Sequence, residues 1–222
     1  MLPGQPPPGA GGSGWTDYWI DGRGADLLGQ VDQLAGDRVF AGERDAYRAF
    51  DTRTGRYFFD RAPCELFNQV HRGQLHGYGC RMELRHGQLM PSERDAALIH
   101  LKGGGLVVVQ SQVWGDIRSE GAPVCLAGSD ILGDVWLDHG GLQMVDTSVS
   151  GTLTLRTDRA SIGPGCRINH LVLRAPERRP GEPASVLPRI ELHPGANVSR
   201  ISADAPTYEV VRMPGPQRPT AP

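Results

Sequence analysis

Val113-Trp114-Gly115-Asp116-Ile117, Ile131-Leu132-Gly133-Asp134-Val135 and Val149-Ser150-Gly151-Thr152-Leu153 are three copies of one pattern, spaced 18 residues apart. A second set of apolar pairs keeps the same interval: Leu106/Val108, Val124/Leu126, Leu142/Met144 and Ala160/Ile162. Short alternating apolar runs, separated by Gly, Asp and Ser and repeated at a fixed period, predict a coil of strands rather than a helix pair. The fold expected is mainly β, a single-stranded β-solenoid with coils starting near residues 106, 124, 142 and 160. A left-handed hexapeptide coil also has 18 residues, but Ser119, Gln143, Ser161 and Arg167 interrupt the apolar column it requires, which favours the right hand.

Within each copy the alternation sends Val113, Gly115 and Ile117 to one face and Trp114 and Asp116 to the other. The column Gly115, Gly133, Gly151 suits a tight place with no room for a side chain. The fourth coil is imperfect, with Ile168 and Leu171 where the next strand should be. Residues 161–176 match residues 191–206 without gaps at an offset of 30, so a 12-residue insertion falls within Ala175–Pro188, the loop expected at 175–188. Its Glu177, Arg178, Arg179, Pro180 and Pro183 read as a solvated loop.

Outside the repeat the pattern changes. Residues 1–14 and 213–222, rich in Pro and Gly, are expected to be disordered tails. Trp15, Tyr18, Trp19 and Ile20 cluster immediately after the first tail, as a cap on the open end of the solenoid or an anchor on a partner. Leu27, Leu28, Val31 and Leu34 have helical spacing. Tyr47 to Phe59 reads as a hairpin turning at Gly55, and Pro63 as the start of a helix carrying Leu66, Phe67 and Val70. Residues 15–90 are therefore expected to form a small α+β cap or adaptor region, with the solenoid over 91–212.

Lys+Arg 23 against Asp+Glu 25, a formal net charge of -2, gives no field to gather nucleic acid or anionic lipid. No run has the length of a membrane span and no secretory signal is present, so a cytoplasmic location is expected. Cys64, Cys80, Cys125 and Cys166 form no CxxC pair and read as packing residues.

Asp116 and Asp134 are in register and read as outward, together with Ser111, Ser129 and Thr147. Such a column could hold Ca²⁺ and an acidic polysaccharide, but two carboxylates and a threonine make a thin site, and a solvated corner ladder is preferred. Glu120, Asp138 and Arg156 share a column of surface ion pairs. The seven histidines do not recur at the coil interval, so no metal shared between coils is expected. No catalytic pair, cofactor site or phosphate loop is expected either.

The recurring V-x-G-D-[IV] units over about residues 106–205 resemble the bactofilin family. That resemblance implies a cytosolic, non-enzymatic scaffold with a triangular right-handed β-solenoid and flexible tails, polymerising without nucleotide. Gly115-Asp116-Ile117 and Gly133-Asp134-Val135 carry it, with Gly151-Thr152-Leu153 a relaxed copy. Two departures stand out: the insertion, and the long region before the core, which could block filament growth by covering one end. The expected function is a structural protein that assembles with itself or a larger particle through solenoid ends or through Trp15, Tyr18, Trp19 and Ile20. The alternative is a carbohydrate-binding or polysaccharide-cleaving β-helix, with its groove near Trp114, Trp136, Asp116 and Asp134. Trp114 and Trp136 are not one coil apart, which weakens sugar stacking.

Overall fold

Alternation decides the inside of the coil. In Cys64–Phe67, Arg81–Arg85, Gly105–Val109, Val124–Ala127 and Gly141–Val145, every second residue is buried: Cys64/Leu66, Met82/Leu84, Leu106/Val108, Val124/Leu126 and Leu142/Met144. One coil has too little apolar surface to hold itself, so burial comes from stacking, at about 1.5 to 3 kcal/mol for each fully buried aliphatic side chain. The computed structural model describes residues 38–41, 47–49, 53–175, 189–203 and 209–215. It is a parallel β-solenoid of about eight turns.

Among the described residues every strand pairing is parallel, and the strands form one nine-stranded and one twelve-stranded sheet. The nine-stranded sheet is one side of the coil, running from Tyr47–Ala49 to Glu209–Arg212. The twelve-stranded sheet supplies the other two sides. A short side holds Gln88–Met90, Gln112–Val113 and Asp130–Ile131, and a longer one holds Ala97–Lys102, Gly115–Glu120 and Val135–Asp138. Val70–Tyr78 and Ser148–Arg156 run through both. At one corner Asn68, His86, Gln110 and Asp146 have positive φ of 46 to 53°, the left-handed conformation that reverses the chain at small steric cost in such residues.

The solenoid begins earlier than expected, and much of the α+β reading of 15–90 gives way to it. Tyr47–Ala49 and Arg53–Asp60 form no hairpin: the first pairs with Cys64–Phe67, the second with Arg38–Ala41 and Val70–Tyr78. The helix expected after Pro63 is the strand Cys64–Phe67, and the described residues contain no helix. Burial against the next coil overrides the helical spacing of Leu66, Phe67 and Val70: Leu66 points in, while Phe67 is 43% exposed. The expected helix at Leu27–Leu34, the loop at 176–188 and both tails up to residue 14 and from 216 lie outside the described residues.

Two insertions and one bulge account for the irregularities. Arg159 pairs with Arg189 and Arg167 with Asn197, so the extra 12 residues lie between Leu173 and Arg189, as expected. A second insertion was not foreseen. Gln74 pairs with Leu98 and Met82 with Leu106, a spacing of 24 residues that places six extra ones at 91–96. Ser92 closes this spur, its hydroxyl accepting from the Asp95 N–H at 2.8 Å. The imperfect fourth coil is a register shift between Val149 and Thr152, which lets Ile168 and Leu171 stack under Val149 and Leu153.

Candidate functional site: the outer faces and the ends

Gly115, Gly133 and Gly151 stand where the short side bends into the longer one. A Cβ on Gly133 would collide with the Gly115 carbonyl and lie 2.5 Å from Asp116 Oδ1, and one on Gly151 would meet Asp134 Oδ1 and the Gly133 carbonyl. The crowding comes from the neighbouring coil's backbone and carboxylate, stacked one above another. At this bend the carboxylates take over from strand pairing: Asp116 Oδ1 accepts from the Asp134 N–H at 2.9 Å, and Asp134 Oδ1 from the Thr152 N–H at 2.7 Å. These oxygens are therefore engaged in holding one coil to the next.

Ser111, Ser129 and Thr147, expected outside, are buried. Each follows a left-handed corner residue, Gln110, Gly128 or Asp146, which turns the side chain inward. Their hydroxyls donate to the carbonyls of Val109, Ala127 and Val145 at 2.7, 2.9 and 2.9 Å. Ser111 also accepts from the Gly87 N–H, and Ser129 from the Ser111 N–H. The candidate calcium column thus loses its hydroxyl members, and no three His, Cys, Asp or Glu among the described residues stand together as a metal site.

The longer side carries an outward column that residue counting missed. The six-residue insertion brings His76 into register with His100 although they are 24 residues apart. Phe58 stacks on His76 at 4.8 Å between centroids, and His76 meets His100 edge-on at 5.9 Å. The column continues through Arg118 to Trp136, which lies under the Arg174 guanidinium at 5.6 Å. Beside it, Glu120 contacts His100 at 3.1 Å and Lys102 at 3.7 Å, and Asp138 pairs with Arg156 at 3.6 Å. Trp114 is 48% exposed and in register with Leu132, not Trp136. The two tryptophans do not form one stacking platform.

Inside the first coils the core is more polar. His71 is fully buried, donates from Nε2 to the Gly55 carbonyl at 3.1 Å, and has no partner for Nδ1 among the described residues. Burial pushes its pKa down to about 4, against the opposing effect of its backbone hydrogen bonds. The buried Gln69 amide also lacks partners among the described residues. Burial raises the thiols of Cys64, Cys80 (to about 11) and Cys166, keeping them protonated and inert. Cys125 is half-buried on an outer face.

At the C-terminal end, Asn197–Ala203 and Glu209–Arg212 pair, among the described residues, only with the preceding coil. Ile201 and Val210 are 42% and 40% exposed, whereas Leu171 and Ile190 above them are fully buried. Trp15, Tyr18, Trp19 and Ile20 lie outside the described residues. No known protein family, curated protein or solved structure matches the chain.

Proposed function

We propose that this protein is a non-enzymatic scaffold of the bactofilin type, acting in the cytoplasm and assembling end-on through its C-terminal coil. The observation that carries this proposal is the exposure of Ile201 and Val210 in a coil whose strands have no further partner among the described residues. Unpaired N–H and C=O groups beside exposed inward-type side chains form a template for another strand pair. The added 53–90 coils support the comparison with bactofilins, because they lengthen the rod where an unrelated plug was expected. Four free cysteines suit a reducing compartment.

Substituting Ile201→Lys together with Val210→Lys places charge on the exposed rim beneath Leu171 and Ile190. Sedimentation velocity with negative-stain microscopy should show concentration-dependent end-on association of the wild-type protein and a monomeric variant that keeps the β-rich circular dichroism of the wild type. A wild-type protein that stays monomeric at hundreds of micromolar, or a variant that assembles as before, would sink the proposal.

A further inference from the structure

The outer surface of the nine-stranded side is charged at its ends and apolar between them. At one end Arg81 and Arg85 hold Glu83, the second at 2.8 Å. Burial alone would raise the Glu83 pKa, but these two cations outweigh it and hold the carboxyl below its usual range. Near the other end Arg189 contacts Glu191 at 3.1 Å. Between them lies an open groove of about 640 Å³, crossed by Val107, Pro123, Cys125 and Gln143, with Arg81 and Arg159 among its walls.

Gly105 and Gly141 line this groove, and the fold does not require either to be glycine. Neither has a positive φ, and a Cβ on either would meet nothing nearer than 3.9 Å. Glycine inside a strand costs about 0.5 to 1 kcal/mol relative to alanine. Where internal packing does not impose it, close approach from outside accounts for it.

We propose that this groove receives the chain's own aromatic segment, Trp15–Ile20, with the rings over Gly105 and Gly141. The segment matches the groove in chemistry: flat rings suit a shallow apolar floor without side chains. Asp17 and Asp21, which bracket Tyr18 and Trp19, complement Arg159, while Arg81 is shared with Glu83. It also reaches. Residues 21–37 can span up to ~60 Å. Tyr47–Ala49 and Val124–Ala127 are four strand steps apart, about 19 Å at ~4.8 Å per step. A tethered segment meets its site at an effective concentration on the order of millimolar, so it occupies its own groove ahead of a second copy. This side face is separate from the C-terminal rim, and either surface can fail without the other.

Cys125 reports on the groove, because it is half-buried there while Cys64, Cys80 and Cys166 are buried. Maleimide labelling of the full-length chain, located by mass spectrometry, should find Cys125 protected in the wild type. In the variant W15A/Y18A/W19A it should label at least tenfold faster at unchanged melting temperature. Independently, Gly141→Leu fills the groove with a side chain the fold can accommodate, and should accelerate tryptic cleavage after Arg23 by a similar factor. Equal labelling in wild type and triple variant, or unchanged cleavage in Gly141→Leu, would refute the proposal. Protection that disappears on dilution would assign the occupant to a second copy and overturn docking within one chain. Because labelling and cleavage are read at concentrations where end-on association is absent, loss of the Ile201/Val210 contact leaves both results intact.

Discussion

Two sets of glycines lie on neighbouring sides of the same coils, for opposite reasons. Gly133 and Gly151 are crowded by a carbonyl and a carboxylate of the preceding coil, and Gly115 by the backbone and Cβ of Ala97, so any side chain there must push coils apart. Gly105 and Gly141 face open space. The first set belongs to the fold, and the second is explained only by something outside it. Identity and spacing alone therefore say little about why a glycine is present; what its missing Cβ would touch does.

The largest effect is expected from Gly133→Val, which forces a branched side chain into the Gly115 carbonyl. It should destabilise by about 3 kcal/mol, the upper part of the overpacking range, read as a fall in thermal or urea midpoint. If Gly141→Val costs as much, the distinction between the two sets is lost. Comparable in size is an acid effect in the coil whose glycine, Gly73, extends the crowded column. His71 has a folded-state pKa of about 4 against about 6.5 unfolded, so the unfolded chain binds the proton more readily. Its contribution is complete above pH 6.5 and is lost as pH falls toward 4, about 3 kcal/mol at most. His71→Leu, matching Leu89 in the next coil, should flatten that part of the pH–stability curve; an unchanged curve would place the titration elsewhere.

A smaller effect tests why the crowded glycines keep carboxylates beside them. Asp134→Ala leaves the Thr152 N–H to water, for about 1 kcal/mol, measurable as faster amide exchange at Thr152. The smallest effect has the opposite sign. In the W15A/Y18A/W19A background, where the groove is empty, Gly141→Ala should stabilise by about 0.5 kcal/mol, by removing freedom from the unfolded chain at a place where a methyl group fits. A destabilised Gly141→Ala in that background would mean that the fold itself, and not the docked rings, requires glycine there.

The regular centre was readable because aliphatic pairs recur there without interruption, and the 12-residue insertion because the motif on each side of it survives intact. The earlier coils were missed although their pattern is present: His71-Arg72-Gly73-Gln74-Leu75 keeps the glycine of the repeat, and Cys64/Leu66 and Met82/Leu84 keep its apolar pairs. A histidine and a cysteine in place of aliphatics hid the inward positions, and the six residues at 91–96 broke the count. The same break concealed the His76–His100 contact. The inward turn of Ser111, Ser129 and Thr147 depends on a backbone reversal one residue earlier, which alternation does not encode. The groove was invisible because it arises from columns of residues, Val107, Cys125 and Gln143, none of which is distinctive alone.

The hydrogen bonds across the bend and the corner have a direction. Each aspartate receives the N–H of the coil made after it, while Ser111 and Ser129 receive N–H groups from the coil made before them. On a ribosome releasing the chain from its N-terminus, the coils that follow Asp116 and Asp134 find carboxylate acceptors already in place, and those carrying Ser111 and Ser129 bring the hydroxyls that complete their predecessors. The rod can therefore grow in the order of its own synthesis, one coil at a time, with no need to wait for distant sequence.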